Sequence, residues 1–441
     1  MKVGGLRGHD VLNICLCTDL WLRQNNGAVD RINSFAKNVS KNGVNVYLID
    51  RNTENSLSGM LLGRDTYQKV ENGILKKRLY PFYILFIFPG LIRFVQESLN
   101  KLFCLFTRTS ESEVTFFRAI DPYLFVKLYF VCKKERIDIV QCEFPPTTVF
   151  TAYILRRLLN IPLVFDAHNI ESERMRGSAK SRNLYVSITR QMEMTICRIC
   201  DSIFVVSEND KEKLLDWNVY SNRIAVIPNS VDINKFSPAM RGVAVRDRYN
   251  LNDDIVIIFH GALGYSPNLE AIGIIEKTIL PQIHKLYPST HLLLVGSDPP
   301  RGLSNFVVTG YVENLPEYIA AADLAIVPLL RGGGTRIKIL EYMACGKAIV
   351  STVKGAEGLN LKNGSDIFLT DYPDSKFVDS VLHLIADSSL RKSMGTNARK
   401  KAELFYDWSK TAKKAVEIYG DLVSISDEKR YNNDKPAAFQ D

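Results

Sequence analysis

The sequence contains few of the residues that bind metals or form disulfides. It has 6 histidines and 8 cysteines in 441 residues, and the cysteines follow no framework spacing. Its one Cys-x-x-Cys pair, Cys197 and Cys200, lies in a stretch with helical apolar spacing and has no second pair nearby. A structural zinc site needs four such ligands, so these thiols are predicted to pack in a core, in a reducing compartment.

Long hydrophobic runs are also lacking. An uncharged aromatic run at residues 79–92 is interrupted by Pro81 and Pro89 and is too short to cross a bilayer. The first ten residues are polar and glycine-rich, unlike a signal peptide. We therefore expect a cytoplasmic location.

No basic arm accounts for the net charge of +8, which is spread along the chain. A dispersed positive charge suits phosphorylated ligands or an anionic membrane surface better than a nucleic acid, so we expect no nucleic-acid partner.

The length of the chain exceeds that of one typical hydrophobic core. It suits two domains of about 200 residues each.

Three glycines followed by a short helical pattern form the most informative stretch, residues 332–344. Thr335 is expected to cap the helix with its hydroxyl. Arg336 and Lys338 would then lie in the first turn, where cations oppose the helix dipole. A bound phosphate or diphosphate would neutralise both cations and accept the N–H bonds of the turn.

A carboxylate follows the glycine turn at about the distance that separates the phosphates of a nucleotide from its ribose. Glu341 lies six residues past Thr335, which is about 9 Å along a helix. A carboxylate can accept hydrogen bonds from both ribose hydroxyls. The alternative is a flexible glycine turn before an ordinary basic helix.

This stretch resembles the donor-binding signature of retaining glycosyltransferases of the GT-B fold, specifically the GT4 family. That family usually carries two glutamates in an E-x7-E pattern. Here the second is Glu341 and the first position is Gly333, as in a GGGTR-type variant. The missing glutamate normally touches the donor sugar, so the resemblance leaves the sugar open. The implied fold is α/β, with two Rossmann-like parallel-sheet domains facing a central cleft.

A histidine follows a predicted strand in the first half of the chain. Strand 163–165 runs into Asp166-Ala167-His168-Asn169, at the edge where α/β sheets bind ligands. A capping or core histidine is the alternative. The segment resembles the family's Asp-x-His-Asn, which implies that His168 contacts the donor sugar or helps place the phosphate.

Further segments carry the resemblance. Asn26-Gly27, with Arg31, is similar to a Gly-Gly-x-x-x-Arg loop near the diphosphate. After the predicted strand 255–259, many relatives supply an arginine and a lysine to the diphosphate, where this chain has Ala262 and Asn268. The donor-binding residues implied are Gly27, Asn229, Gly261, Tyr311, Val312, Gly333, Gly334, Thr335 and Glu341. Tyr311 and Val312 would meet the nucleobase.

The same comparison implies the domain limits. Residues 1–228 would form an acceptor-binding domain, and residues 235–406 a nucleotide-sugar donor domain. A last helix, residues 408–423, would pack back on the first domain. Residues 424–441 are polar and are expected to be a disordered tail.

The implied activity is retaining sugar transfer from a UDP- or GDP-linked donor to a glycan or lipid-linked acceptor. His168, Arg336 and Lys338 would be the catalytic residues, and no side-chain nucleophile or other cofactor is required. No Asp-x-Asp occurs in the chain, so a metal-dependent diphosphate site is not expected.

Two alternatives stay open. A nicotinamide oxidoreductase needs G-x-G-x-x-G after the first strand, and the loop at residues 18–27 has one glycine. An inactive nucleotide-sugar-binding protein is favoured by Gly333 and by the missing basic pair.

Aromatic and basic residues lie together before a predicted amphipathic helix. Lys76, Lys77 and Arg78 precede a run that includes Phe86 and Phe88. A buried core explains the apolar residues, but aromatics beside cations suit a lipid interface. We expect peripheral contact with an anionic membrane.

Overall fold

The computed structural model describes residues 11–18, 27–50, 66–71, 73–79, parts of 91–101, 120–143, 148–176 and 183–434. These residues form two compact units. The first unit holds the described residues up to 173, those from 183 to 227 and those from 412 onward; the second holds 174–176 and 228–411.

The first unit is built on a sheet of eight strands in the order β4-β3-β2-β1-β5-β6-β7-β8. The strands are β1 (Asn13–Cys17), β2 (Asn45–Ile49), β3 (Thr66–Glu71), β4 (Ile74–Leu79), β5 (Ile139–Glu143), β6 (Leu163–Ala167), β7 (Ser202–Val205) and β8 (Ile224–Val226). The central strands pair in parallel, whereas β3 and β4 add an antiparallel hairpin at one edge. Strands β1, β5 and β6 are buried throughout, as expected when helices cover both faces of a parallel sheet.

Helices connect the parallel strands of this unit. They are α1 (Gly27–Lys41), α2 (Pro122–Lys134), α3 (Thr148–Leu159), α4 (Glu171–Arg176), α5 (Asn183–Ile199) and α6 (Glu208–Asp216). Described residues between 91 and 101 are also helical. Cys197 and Cys200 are buried, and burial raises the pKa of the Cys197 thiol to about 12, so the prediction of core cysteines is confirmed.

The second unit has a six-stranded parallel sheet in the order β11-β10-β9-β12-β13-β14. Its strands are β9 (Val256–His260), β10 (His291–Val295), β11 (Val307–Gly310), β12 (Leu324–Val327), β13 (Ala348–Thr352) and β14 (Phe368–Thr370). Its helices are α7 (Val243–Arg248), α8 (Ser266–Ile274), α9 (Leu280–Leu286), α10 (Leu315–Ala321), α11 (Ile337–Ala344), α12 (Ser375–Ala386) and α13 (Ser388–Phe405). One π-helical turn, Ile275–Ile279, joins α8 to α9.

A long last helix, α14 (Trp408–Asp434), begins in the second unit and continues in the first. Its Tyr419 is fully buried, with the ring 5.6 Å from that of Phe204, and its hydroxyl donates to Gln141 on β5. The helix does not stop at residue 423. It runs into the polar stretch for which we expected disorder, because a helix surface tolerates polar residues once apolar positions such as Val423 are buried.

Among the described helices, none is both long enough and apolar enough to cross a membrane.

Candidate active site

The glycine stretch of the second unit forms an irregular turn between β12 and α11. Gly332 has φ +114° and Gly334 φ +69°, values that side chains disfavour. The helix begins at Ile337 with Arg336 as its N-cap residue, and no side chain caps it. The expectation that Thr335 caps α11 is therefore wrong. Its hydroxyl instead accepts a hydrogen bond of 2.5 Å from Asn229 Nδ2, which ties the turn to the start of the second unit.

Arg336 folds back onto the turn that precedes it. Its Nη1 donates to the carbonyl oxygens of Gly333 and Gly334, the latter at 2.6 Å, and its Nη2 lies 3.4 Å from the Arg331 carbonyl. A Cβ at Gly332 would lie 2.9 Å from Nη2, so a side chain at this position would displace the guanidinium. In a trans peptide the N–H points opposite to the C=O. The guanidinium therefore turns the N–H groups of Gly334 and Thr335 away from itself.

Lys338 is in the first turn of α11, and its ammonium lies beside the loop that follows β9. Its Nζ donates to Asn268 Oδ1 at 2.9 Å, and Asn268 Nδ2 donates to the Ala262 carbonyl at 2.7 Å. A Cβ at Gly261 would come within 3.2 Å of Nζ. Desolvation, followed by the charge of Arg336, lowers the pKa of Lys338 to about 7. An anion bound beside this lysine would raise its pKa again and keep the ammonium charged.

Glu341 lies next to the end of the strand beside its helix. Its Oε2 lies 3.2 Å from His260 Nε2 at the end of β9. The His260 ring packs edge-on against Tyr342, at 4.9 Å between centroids, and the Tyr342 hydroxyl accepts from the His260 N–H at 3.0 Å. The carboxylate thus lies beside the His260 ring and is partly exposed.

Tyr311 and Val312 follow β11 directly. Tyr311 is 67% exposed, and Val312 packs on the core of the second unit. Gly310 has φ +72° and its carbonyl accepts from the Gly296 N–H, so the backbone turns sharply here. An exposed aromatic ring on a fixed turn is suited to stacking on a flat ligand.

In the first unit, a buried cluster surrounds the carboxyl end of β6. Arg31 on α1 makes a bidentate pair with Asp166, at 2.9 and 3.2 Å, and also donates to the Ile227 carbonyl. His168, just past the strand end, places Nε2 2.9 Å from Glu143 Oε2 on β5. Burial lowers the pKa of His168 to about 4 and raises that of Glu143 to about 7. The histidine is therefore neutral near pH 7.

Glu143, Asp166 and His168 bring three potential metal ligands within 4.8 Å of one another. The Arg31 guanidinium already engages both oxygens of Asp166. A metal ion there would place a second cation on a carboxylate that is already paired, so this donor set does not suit one.

The remaining predicted residues lie apart from these groups in sequence. Gly27 is the exposed first residue of α1. Lys76, Lys77 and Arg78 lie on β4, and Lys76 is exposed. Phe86 and Phe88 lie outside the described residues.

Two residues that hold the site were not predicted as functional. Glu143 is the last residue of β5, and His260 lies one residue beyond the predicted strand 255–259. The alternation of Gln141 and Glu143 around a buried cysteine was a usable signal, because alternate strand positions share one face.

Two Rossmann-like sheets of mainly parallel strands, one with a glycine turn, a lysine and a carboxylate at its strand ends, are the architecture of the GT-B fold. The solved sucrose-phosphate synthase of Thermosynechococcus elongatus has this fold. It is 16% identical, with a TM-score of 0.68 over 94% of this chain and 100% of that one. Anabaena HepE in complex with UDP matches with a TM-score of 0.63 and 15% identity over 93% of this chain and 100% of that one.

Family models and curated relatives agree with the fold. Residues 113–235 match the model "Glycosyltransferase Family 4", and residues 254–387 match "Glycosyl transferases group 1". The chain belongs to this GT4 family. An Escherichia coli UDP-Gal:α-D-GlcNAc-diphosphoundecaprenol α-1,3-galactosyltransferase is 24% identical, over 68% of this chain and 79% of the relative. A D-inositol 3-phosphate glycosyltransferase of Corynebacterium urealyticum is 25% identical, over 63% and 70%.

Proposed function

We propose that this glycosyltransferase moves a sugar, with retention, from a nucleotide-diphosphate donor to a lipid-linked or glycan acceptor. One observation carries the proposal. Asn268 holds the Lys338 ammonium beside Gly261, and Glu341 follows on the same helix. A diphosphate at the lysine and a ribose at the carboxylate would use both groups together.

The chemistry follows from where charge develops. Cleavage of the anomeric C–O bond leaves negative charge on the β-phosphate. Lys338 and the N–H groups of Gly334 and Thr335 are suited to stabilise that charge without a metal ion. Arg336 acts mainly by holding the turn, since its donors already engage carbonyls. The leaving phosphate accepts the proton of the acceptor hydroxyl. The acceptor oxygen therefore replaces the diphosphate on the same face of the sugar.

A uridine donor is the first choice for this site. The name of the Escherichia coli relative gives UDP-Gal as its donor, and the Anabaena structure contains UDP. Tyr311 would stack on the base, and Glu341 would bind the ribose. GDP-linked donors are the second choice.

Glu341→Ala should weaken binding of the nucleoside diphosphate about 10- to 150-fold, because hydrogen bonds to a charged group contribute about 1.5–3 kcal/mol. The measurement is calorimetric titration with UDP and GDP, after a thermal-shift panel of nucleotides and nucleotide sugars has shown which base stabilises the wild type.

Glu270→Ala is the matched control, since Glu270 is a nearby acid that pairs with Arg331 and has no assigned ligand. The ribose assignment is wrong if Glu341→Ala binds as tightly as this control does.

A non-catalytic nucleotide-sugar-binding protein is the second candidate, because Gly333 stands where the family pattern has a glutamate. Release of free nucleoside diphosphate from the donor distinguishes the two. An enzyme releases it slowly without acceptor, whereas a binding protein returns the intact donor.

A lipid-linked acceptor would be met at a membrane. The helical residues between 91 and 101 expose Leu91, Phe94, Val95 and Leu99, with Lys101 also exposed. Apolar and basic side chains on one exposed helix suit the headgroup region of an anionic leaflet. The name of the Escherichia coli relative gives an undecaprenol-linked acceptor, which supports the proposal of a lipid-linked acceptor.

Wild-type protein should co-sediment with anionic liposomes at low salt and be released at high salt, since each basic residue adds about 1 kcal/mol. Phe94→Ser combined with Leu99→Ser should lower the bound fraction severalfold. Exposed Tyr372→Ser in the second unit is the control. Absence of binding by the wild type at low salt would favour an acceptor in solution.

A further inference from the structure

The hydrogen bonds around His168 form a buried chain that ends on α14. Tyr419 on α14 donates to Gln141 Oε1, and Gln141 Nε2 donates to Glu143 Oε1 at 2.6 Å. Glu143 Oε2 then lies 2.9 Å from His168 Nε2. Gln141 and Glu143 are fully buried and His168 is nearly so, so water does not compete along this path.

The orientation of each group follows from chemistry. Because Gln141 Oε1 accepts from Tyr419, its NH₂ must face Glu143. With the amide in this orientation, Oε1 of Glu143 is an acceptor, and a proton on this carboxyl lies on Oε2, facing the histidine. Two arrangements result. A protonated Glu143 donates to Nε2, which leaves the ring proton on Nδ1. An ionised Glu143 accepts from Nε2–H, which leaves Nδ1 as an acceptor.

We propose that Glu143 determines which ring nitrogen of His168 carries the proton. Loss of one proton from the pair is then a relay. Nδ1 gives up its proton to solvent, and the Oε2 proton shifts to Nε2. The ring stays neutral throughout and changes at Nδ1 from a hydrogen-bond donor to an acceptor. Glu143 is a positioning residue, and its effect on transfer rests on the proposed function, in which His168 meets the donor.

The surrounding charges favour this exchange near neutral pH. The pKa of Glu143 is about 7, raised by burial and partly offset by the Gln141 hydrogen bond and by Arg31. Burial keeps the His168 ring from becoming cationic until about pH 4. Arg31 on α1 and Asp166 on β6 also face the pair and form their own ion pair, and Tyr419 on α14 is protonated because burial raises its pKa. Burial also raises the pKa of Asp166, against the charge of Arg31. Glu143 titrates near pH 7.

Glu143→Gln tests the proposal without relying on activity. The Gln141 NH₂ requires an acceptor at Oε1, so the amide of the variant must turn its NH₂ toward His168 Nε2. This fixes the ring in the Nδ1–H form. Full-length protein labelled with ¹⁵N-histidine contains 6 histidines, and a His168→Gln variant identifies the signal of interest.

In the wild type, the His168 ring nitrogens should exchange tautomers between pH 6 and pH 8. In Glu143→Gln they should show Nδ1–H at every pH in that range. In Gln141→Met the exchange of His168 tautomers should occur at higher pH than in the wild type. The hydrogen bond that this variant loses favours the ionised Glu143 carboxylate. Glu193→Gln is the control, since Glu193 is another buried carboxyl whose pKa is raised to about 7, bonded to Ser172 instead.

The proposal is overturned if the wild type shows one tautomer across the range, or if Glu143→Gln exchanges as the wild type does. Sugar transfer is measured separately. At saturating donor, where the bound diphosphate keeps Lys338 charged, the pH profile of the wild-type turnover number should have an inflection near pH 7 that Glu143→Gln lacks. A chain that shows the tautomer exchange but transfers no sugar contradicts the proposed function and leaves the role of Glu143 intact.

Discussion

Lys338→Met should lower the turnover number about 100- to 1000-fold, the usual effect of removing one group that stabilises developing negative charge. In the empty protein the ammonium is desolvated, with a pKa of about 7, and its hydrogen bond to Asn268 holds it beside Gly261. A bound diphosphate should raise that pKa, so binding takes up a proton. Nucleotide affinity should therefore be highest below pH 7 and should weaken as the pH rises above 7.

Lys338→Arg is the matched control. Its guanidinium stays charged up to high pH, so nucleotide affinity should no longer depend on pH between 7 and 9. The double variant Asn268→Lys/Lys338→Asn places an ammonium at the same position from the other helix. It should recover part of the turnover. A wild-type affinity that is constant over this range, with turnover intact in Lys338→Met, would remove the leaving-group role.

Arg336→Ala should lower both the melting temperature of the empty protein and its affinity for nucleotide. The guanidinium donates to two carbonyls of the turn, and losing such charged hydrogen bonds costs about 1.5–3 kcal/mol. For a unit of this size, that loss lowers the melting temperature by about 3–12 °C. Calorimetric unfolding of the apo protein measures the first effect, and titration with nucleoside diphosphate the second.

Arg336→Lys separates charge from geometry. A lysine keeps the positive charge but lacks the planar fork that reaches both carbonyls. If Arg336 holds the turn, Lys at this position should be almost as damaging as Ala. Nucleotide affinity close to that of the wild type in Arg336→Lys, together with an unchanged melting temperature in Arg336→Ala, would instead favour a purely electrostatic role.

Strands of the second unit were the easiest part of the fold to predict. The strand predicted at residues 255–259 is present as β9, one residue later in the chain. It could be predicted because a parallel strand buried on both faces is a continuous apolar run. The edge strands β3 and β4 were missed. Their polar, lysine-rich sequences carry little hydrophobic signal, and we interpreted the part at residues 76–78 as a basic cluster.

The candidate site was predictable where its residues are local. His168 follows its strand as expected, and Glu341 lies on the predicted helix. The partners of these residues were not predictable from spacing. Thr335 bonds to Asn229, 106 residues away in sequence, and Lys338 bonds to Asn268, 70 residues away. Only the folded sheet brings such pairs together, so a local rule assigned Thr335 to the helix cap.

The buried Tyr419 also has a consequence for how the chain is made. Residues 13–226 supply all the strands of the first sheet, yet the partner of Gln141 and Phe204 comes from a helix that is synthesised after the second unit. Until then, the face of β5 and β7 that Tyr419 covers stays open while the whole second unit is being translated. A premature stop before residue 419 would leave that face permanently uncovered, although every strand of both sheets would be present.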